Sequence, residues 1–146
     1  MPKSTTSYLN DINVWVALVY DGHVHHSPVL GWFDSLDNDQ ARFCRFTQLG
    51  LLRMLTNQRV MGPEVMGQRA AWAAYDRLRQ DSRVAFQEEG PQVESVLRVL
   101  TQGTRAETNV WADAYLAAIA SSSGLTIATL DRGFRSFRGI DVQILG

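Results

Sequence analysis

Along the chain, apolar residues recur in turn at the spacing of strands and at the spacing of helices, and this predicts alternating strands and helices. Short β-prone runs are followed each time by a longer segment with apolar residues at helical spacing. Strands that alternate with helices favour a parallel sheet covered on both faces. We therefore expect an α/β protein with three layers, α/β/α, and a central, mainly parallel sheet in one domain, residues 1–146. The predicted strands are "TTSYLN", "ARFCRF", "RVAF", "LTIATLD" and "VQIL".

Capping residues set the expected ends of several helices. Ser27 is predicted to cap a helix that has Pro28 at its first position, and Thr47 is predicted to cap the helix "TQLGLLRMLTN". Pro91 is expected to begin a further helix, and Gly124 to end the alanine-rich "NVWADAYLAAIASSS". A short helical turn is expected around "RGFRSF". A long helix is also predicted over "EVMGQRAAWAAYDRLRQ". The residues expected to face inward are Leu49, Leu52 and Leu55 in the helix after Thr47, and Val65, Ala73 and Leu78 in this long helix.

The composition is that of an ordinary globular protein. Hydrophobic residues make up 45% of the chain, charged residues make up 20%, and the net charge is −1. The net charge argues against nonspecific, charge-driven binding to nucleic acid. Cys44 is the only cysteine, so no intrachain disulfide can form. Because no apolar run has the length of a signal peptide or membrane span, we expect a cytoplasmic protein with no membrane contact.

Aspartates follow two of the predicted strands, where the carboxyl ends of parallel strands gather functional residues. Asp11 follows the first strand and Asp131 follows "LTIATL". The alternation of side chains along a strand places Thr129 on the side of Asp131, so its hydroxyl is expected to support that carboxylate. Asn13 can hydrogen-bond to the turn or to the acid after the first strand.

A third aspartate, Asp113, interrupts the alanine-rich helix, and Asn109 lies one turn earlier on the same face. Taken singly, each of the three acids has a structural explanation: Asp11 and Asp131 can cap the helix or turn after them, and Asp113 can pair with an arginine. Taken together, three carboxylates without neutralising lysines would repel one another. Oxygen ligands of this kind favour Mg²⁺ or Mn²⁺.

Four segments, in order, resemble one family. "YLNDINVWVAL" looks like the opening of PIN-domain ribonucleases, and "NVWADAYLAAIA" is similar to the family's later helix motif. "TIATLDRGFRSF" resembles its last acidic strand end. "LLRMLTN" resembles a segment common in VapC toxins of bacterial toxin–antitoxin systems. The resemblance covers essentially the whole chain and implies a PIN-like fold.

The resemblance implies a metal-dependent endoribonuclease. Asp11, Asp113 and Asp131 would hold one or two Mg²⁺ or Mn²⁺ ions, which activate water for attack on an RNA phosphodiester. Asn13 and Thr129 would orient the carboxylates. It also implies a cognate antitoxin that covers the acidic cleft, and a homodimer.

Three further residues are candidates for supporting the site or contacting the substrate: Arg53, Asn109 and Glu107.

Gly50 departs from the family pattern, which implies a glutamate three residues before Arg53. Gln48 would point to nearly the opposite side of the helix, and Glu107 could reach the acids only if its loop folds inward. Three interpretations stay open. Three aspartates and water suffice for one metal; substrate phosphate or Glu107 completes the site; or catalysis is weakened, and the protein binds RNA or a partner without cutting.

Other classes are less well matched. A receiver-like domain needs a lysine late in the chain, and Lys3 is the only lysine; an Asp-x-Asp phosphatase needs an acid where Asn13 stands. His23, His25 and His26 invite a zinc hypothesis, but no second His or Cys cluster accompanies them. We interpret the three histidines as a loop and a helix start.

Overall fold

The computed structural model of the chain describes residues 5–103, 105–134 and 137–146. Within these ranges a five-stranded sheet has the order β3-β2-β1-β4-β5, and every pair of neighbouring strands is parallel. The strands are β1 (Tyr8–Asn10), β2 (Ala41–Phe43), β3 (Val84–Phe86), β4 (Thr126–Thr129) and β5 (Val142–Ile144).

Helices connect these strands and cover both faces of the sheet. The helices in the described ranges are α1 (Ile12–Val19), α2 (His26–Asp34), α3 (Arg45–Leu55), α4 (Gln58–Met61), α5 (Gln68–Gln80), α6 (Val93–Leu100) and α7 (Val110–Ser123), with a 3₁₀ turn at Gly62–Glu64.

Separate apolar clusters hold the two helical layers to the sheet. One joins α1, α3 and α5 to the sheet around Trp15, whose indole stacks on Phe43 with the ring centroids 3.8 Å apart. Another joins α6 and α7 to the opposite face, around Leu9 and Ile127. A smaller cluster packs α1 and α2 together through Val14 and its neighbours. The predicted three-layer α/β/α architecture with a parallel sheet is thereby confirmed.

The order of the strands creates a crevice at the carboxyl end of the sheet. From β1 the chain adds β2 and β3 on one side, and it then returns to add β4 and β5 on the other side. Ligands of open parallel sheets bind where the strand order reverses in this way. The register pairs Asn10 with Ala128, so Asp11 and Thr129 are the next residues on the two strands.

The predicted starts of three helices are wrong by two or three residues. Helix α6 begins at Val93 instead of Pro91. Helix α2 begins at His26 with His25 as its N-cap, so Ser27 is not the cap and Pro28 is the third helical residue. Helix α3 begins at Arg45, and Thr47 lies inside its first turn. The Thr47 hydroxyl still satisfies the helix start, because it accepts a hydrogen bond from the Cys44 backbone N–H at 2.9 Å.

Some residues expected to face the core lie at the surface. Leu49 is 57% exposed, whereas Leu51 is fully buried, because the face of α3 that meets α1 and the sheet is turned away from Leu49. Val65 lies before α5 and is exposed. Ala73 is also exposed, and Ala74 is buried instead.

The helical turn expected around "RGFRSF" lies partly outside the described residues, because Arg135 and Ser136 are not among them. The residues before them form a turn in which the Phe134 N–H donates to the Asp131 carbonyl at 3.0 Å. Across the described ranges, no helix combines the length and apolar character needed to cross a membrane.

Candidate active site

Asp11 leaves the central strand and starts the next helix. Its backbone N–H donates to the Ala128 carbonyl at 2.8 Å, which extends the pairing of β1 with β4 by one residue. Its Oδ1 accepts a hydrogen bond from the Ile12 N–H at 2.8 Å, and Asp11 is the N-cap of α1. The helix start therefore fixes one oxygen of this half-buried carboxylate, because an acceptor there satisfies an unpaired N–H group.

Thr129 fixes the other oxygen. This residue is fully buried at the end of β4, and its hydroxyl donates to Asp11 Oδ2 at 2.8 Å. The hydroxyl oxygen accepts from the Asp131 N–H at 3.1 Å. The expectation that Thr129 supports the Asp131 carboxylate is therefore wrong, because the hydroxyl donates to a different carboxylate. The supported carboxylate is that of Asp11, and Asp131 meets the hydroxyl through its backbone.

Asn13 joins the two strand ends. Its Nδ2 donates to Thr129 Oγ1 at 3.4 Å, and its Oδ1 accepts from the Leu130 N–H at 3.2 Å. Of the two partners expected for Asn13, the turn or the acid, the acid is reached only through the Thr129 hydroxyl. Asn13 ties the first turn of α1 to the segment that carries Asp131, so it helps to set the spacing of the acids.

Asp113 and Asp131 approach Asp11 from other elements. Asp113 lies in the first turn of α7, and Asp131 follows β4 and accepts a hydrogen bond from the Gly133 N–H at 2.8 Å. Burial raises the pKa of Asp11, and the charges of Asp113 and Asp131 raise it further. Hydrogen bonds from Thr129 and from the helix start lower it in part. The fold thus brings the three predicted acids within electrostatic reach of one another.

The donor chemistry of these acids suits a hard divalent cation. All three offer carboxylate oxygens, and the pKa of Asp11 is raised first by burial and then by the charges of Asp113 and Asp131, which a bound cation would offset. As the side chains stand, no group of three or more His, Cys, Asp or Glu residues in the described ranges is arranged to hold a metal ion. The three acids thus match Mg²⁺ or Mn²⁺ in the type and charge of their ligand atoms, but not in the arrangement of their side chains as they stand.

The remaining predicted candidates line other surfaces. Arg53 is exposed in a groove between α3 and α5, beside Thr56 and Trp72. Asn109 is the N-cap of α7 and lines a separate cavity that contains Phe46.

Glu107 is exposed in the segment before α7, in a further cavity lined by Arg105 and Trp111. Gln48, considered as a substitute acid, is buried, and its amide oxygen accepts a hydrogen bond from Arg45. None of these cavities contains Asp11.

The cavity that does contain Asp11 has a volume of about 340 Å³. Asn13 and His23 supply its other polar side chains, and the rest of its wall is apolar: Ile12, Val16, Met54 and Val60. The position of His23 beside Asp11 was not predicted from the sequence. The feature of the sequence that could have indicated this is the position of His23 in the loop after α1, because that loop brings the chain back over the first turn of the helix.

The histidine cluster is a loop and a helix start, as interpreted. His23 Nδ1 accepts a hydrogen bond from the His25 N–H at 3.0 Å, and His26, the first residue of α2, contacts the Ala17 carbonyl through Nδ1 at 2.7 Å. Burial and the two neighbouring histidines lower the pKa of His23. The lowered pKa favours the neutral form of the His23 imidazole at the edge of the cavity.

Gly50 faces α1. A side chain at this position would be directed against Ile12, the residue after Asp11. The position where the resemblance implies a fourth acid therefore adjoins the side chain of Ile12, and that side chain occupies the neighbouring space.

Comparisons with known proteins agree with this geometry. The model of the PIN domain family matches residues 8–140. "Ribonuclease VapC41" of Mycobacterium tuberculosis is 37% identical over 142 residues, which cover 94% of this chain and 97% of that protein.

Solved structures share the fold at low sequence identity. VapBC2 from Rickettsia felis, bound to a DNA fragment from its promoter, aligns with a TM-score of 0.67 at 12% identity, over 97% of this chain and 100% of that chain. A toxin–antitoxin complex from Klebsiella pneumoniae aligns with a TM-score of 0.60 at 17% identity, over 94% and 96%. The family model and the sequence relative together establish that the chain belongs to the PIN domain family.

Proposed function

We propose that this chain is an endoribonuclease toxin of the VapC type, dependent on Mg²⁺ or Mn²⁺ and neutralised by a cognate antitoxin. The observation that carries the proposal is the placement of Asp11 and Asp131 after the two strands where the strand order reverses, with Asp113 in the first turn of α7. Burial raises the pKa of Asp11, and the charges of Asp113 and Asp131 raise it further. The ribonuclease name of the sequence relative supports the reaction, and the toxin–antitoxin complex among the structural neighbours supports the partner.

The three aspartates would hold the metal. When bound, the ion supplies a more acidic water for attack on an RNA phosphodiester and offsets charge on the phosphate oxygens. Asp11 is held ready for this task by hydrogen bonds to both of its oxygens, from the Ile12 N–H and from Thr129. Those bonds restrict rotation of the carboxylate, so less ordering remains to be done when a cation arrives.

Asn13 and Thr129 are positioning residues in this proposal. Asn13 holds the Leu130 backbone N–H and the Thr129 hydroxyl, and the hydroxyl in turn holds Asp11 and the Asp131 backbone. This network keeps the acids after β1 and β4 at a fixed separation. We assign no role at the acids to Arg53, Asn109 and Glu107, which line separate grooves.

The remaining parts of the proposal rest on the family. The chain, residues 1–146, would form a single PIN domain that acts in the cytoplasm and forms a homodimer. Its substrate would be RNA, and its antitoxin would cover the acidic cleft. Size-exclusion chromatography with light scattering measures the oligomeric state, and co-purification with the product of an adjacent small reading frame tests the antitoxin.

A cleavage assay tests the central claim. The purified chain is incubated with a mixed RNA pool while Mg²⁺ or Mn²⁺ is titrated, with and without EDTA. We expect metal-dependent cleavage that Asp11→Asn abolishes. The matched control is Asp76→Asn, which removes an exposed acid of α5 and should leave the rate unchanged. Cleavage at the normal rate by Asp11→Asn would refute the assignment.

The alternative function is a PIN-like domain that binds RNA or a protein without cutting, and the glycine at position 50 favours it. The same titration separates the two, when RNA binding is measured alongside by a gel-shift assay. Binding without cleavage at any metal concentration would establish the alternative.

A further inference from the structure

Gly50 in α3 lies directly against the side chain of Ile12 in α1. A Cβ added to Gly50 would stand 2.5 Å from Ile12 Cγ1, nearer still to Cδ1, and 3.3 Å from Cγ2. All three outer carbons of the isoleucine are therefore in or close to the space of that Cβ. A rotation about the outermost bond would move only Cδ1, so the conflict involves the branched part of the side chain as well.

Ile12 also belongs to the surroundings of the acid site. Its backbone N–H donates to Asp11 Oδ1, and its side chain lines the same cavity as Asp11 and Asn13. The space next to Gly50 thus borders the cavity that contains Asp11. The close approach explains why a poor helix former stands within α3, since any larger residue would displace Ile12.

We propose that Gly50 and Ile12 are a matched pair in which Ile12 occupies the place of a fourth acid. The isoleucine side chain fits into the gap left by the glycine and seats the first turn of α1 on α3, so Ile12 is a positioning residue for Asp11. An acid can enter at position 50 only when residue 12 is shortened. The part of this inference that concerns metal rests on the proposed function, and the packing part does not.

Thermal unfolding of metal-free protein tests the packing. Alanine normally stabilises a helix relative to glycine, and Gly31→Ala in α2 is the matched control, because nothing lies within 4 Å of a Cβ at that position. We expect Gly31→Ala to raise Tm and Gly50→Ala to lower it by on the order of 3 °C. In an Ile12→Ala background, Gly50→Ala should instead raise Tm. A rise in Tm for Gly50→Ala in the unaltered chain would overturn the matched pair.

Calorimetric titration with Mn²⁺ alone tests the link to the acids. We expect Ile12→Ala/Gly50→Glu to bind Mn²⁺ about tenfold more tightly than Ile12→Ala/Gly50→Gln, which has the same shape without the charge. Gly50→Glu alone should bind no more tightly than the unaltered chain. Equal affinity of the two double variants would show that position 50 does not open onto the acids, and would overturn the fourth-acid part of the inference.

The two measurements separate failure of this inference from failure of the proposed function. If the unaltered chain binds no Mn²⁺, the proposed metal dependence fails, and so does the fourth-acid part, while the reversal of the Gly50→Ala effect by Ile12→Ala still supports the packing. If Mn²⁺ binds but the reversal is absent, the proposed function stands and the matched pair fails.

Discussion

Replacing Thr129 with valine isolates the hydrogen bonds at the acid site from the packing around them. Thr129 is fully buried, and valine has nearly its shape, so the change removes the hydroxyl and leaves the volume similar. The hydroxyl makes one bond to a carboxylate, at 2.8 Å to Asp11 Oδ2. It also accepts from the Asp131 N–H at 3.1 Å and from Asn13 Nδ2 at 3.4 Å.

These contacts set the size of the effect. A hydrogen bond to an ionised group contributes about 1.5 to 3 kcal/mol, and a neutral one about 0.5 to 1.5 kcal/mol. The long contact from Asn13 should contribute little. Because the bonds share one oxygen, their losses do not add fully. We therefore expect Thr129→Val to lower the free energy of unfolding by about 2 to 4 kcal/mol at neutral pH.

The loss should depend on pH in a defined direction. The hydroxyl lowers the pKa of Asp11, so its removal raises that pKa further in the folded chain. The hydroxyl bond is strong only while Asp11 is ionised. The penalty of Thr129→Val is therefore smallest when Asp11 is protonated. It grows as the pH rises through the pKa of Asp11 in the unaltered folded chain, which lies above the ordinary value of 3.8.

Urea unfolding of metal-free protein, monitored by tryptophan fluorescence from about pH 4 to pH 8, measures this penalty. Thr129→Ser is the control, because it keeps the hydroxyl and loses only a methyl group. The serine variant should show a smaller loss with little dependence on pH. The reasoning is refuted if the valine penalty is constant with pH or greater in acid, or if the serine variant reproduces it.

Two further changes address charge. The pKa of Asp11 is raised in the folded chain, so its ionised form reduces stability. Asp11→Asn should therefore raise the Tm of metal-free protein at neutral pH. Scanning calorimetry should show that this gain vanishes as the pH falls towards 3.8. Arg83 lies 4.0 Å above the Phe33 ring and donates to both Asp81 oxygens, at 2.9 and 2.8 Å. Arg83→Ala should lower the free energy of unfolding by about 1 to 2 kcal/mol in urea, and Arg83→Lys should restore little, because an ammonium cannot form the paired contact.

The sequence predicted the layers and the acids because both depend on local signals. Alternating periods mark strands and helices, and an aspartate directly after an apolar strand marks the functional edge of a parallel sheet. The partner of Thr129 was not predictable in this way, since it depends on strand register. Pairing of Asn10 with Ala128 brings Thr129 opposite Asp11, and the chain alone does not state that register.

Helix faces were harder to predict for a related reason. Leu49 and Leu51 both belong to apolar stripes of α3, and the choice between them depends on the direction from which α1 and the sheet approach. The surroundings of Gly50 could not be predicted for the same reason. Its distance from Arg53 in sequence indicated a missing acid, while the isoleucine that fills the gap belongs to another helix.

The two interpretations of Asp11, as a helix cap and as a metal ligand, are compatible in this structure. Oδ1 accepts the Ile12 N–H and Oδ2 accepts the Thr129 hydroxyl. A carboxylate oxygen has two lone pairs, so one hydrogen bond at each leaves a second position for a cation. The cap fixes where the carboxylate stands, and the threonine hydroxyl lowers its pKa against the opposing effects of burial and neighbouring charge. A variant that retains the cap but loses the hydroxyl should therefore place the acid correctly and charge it less readily, which is why Thr129→Val is informative about the site as well as about stability.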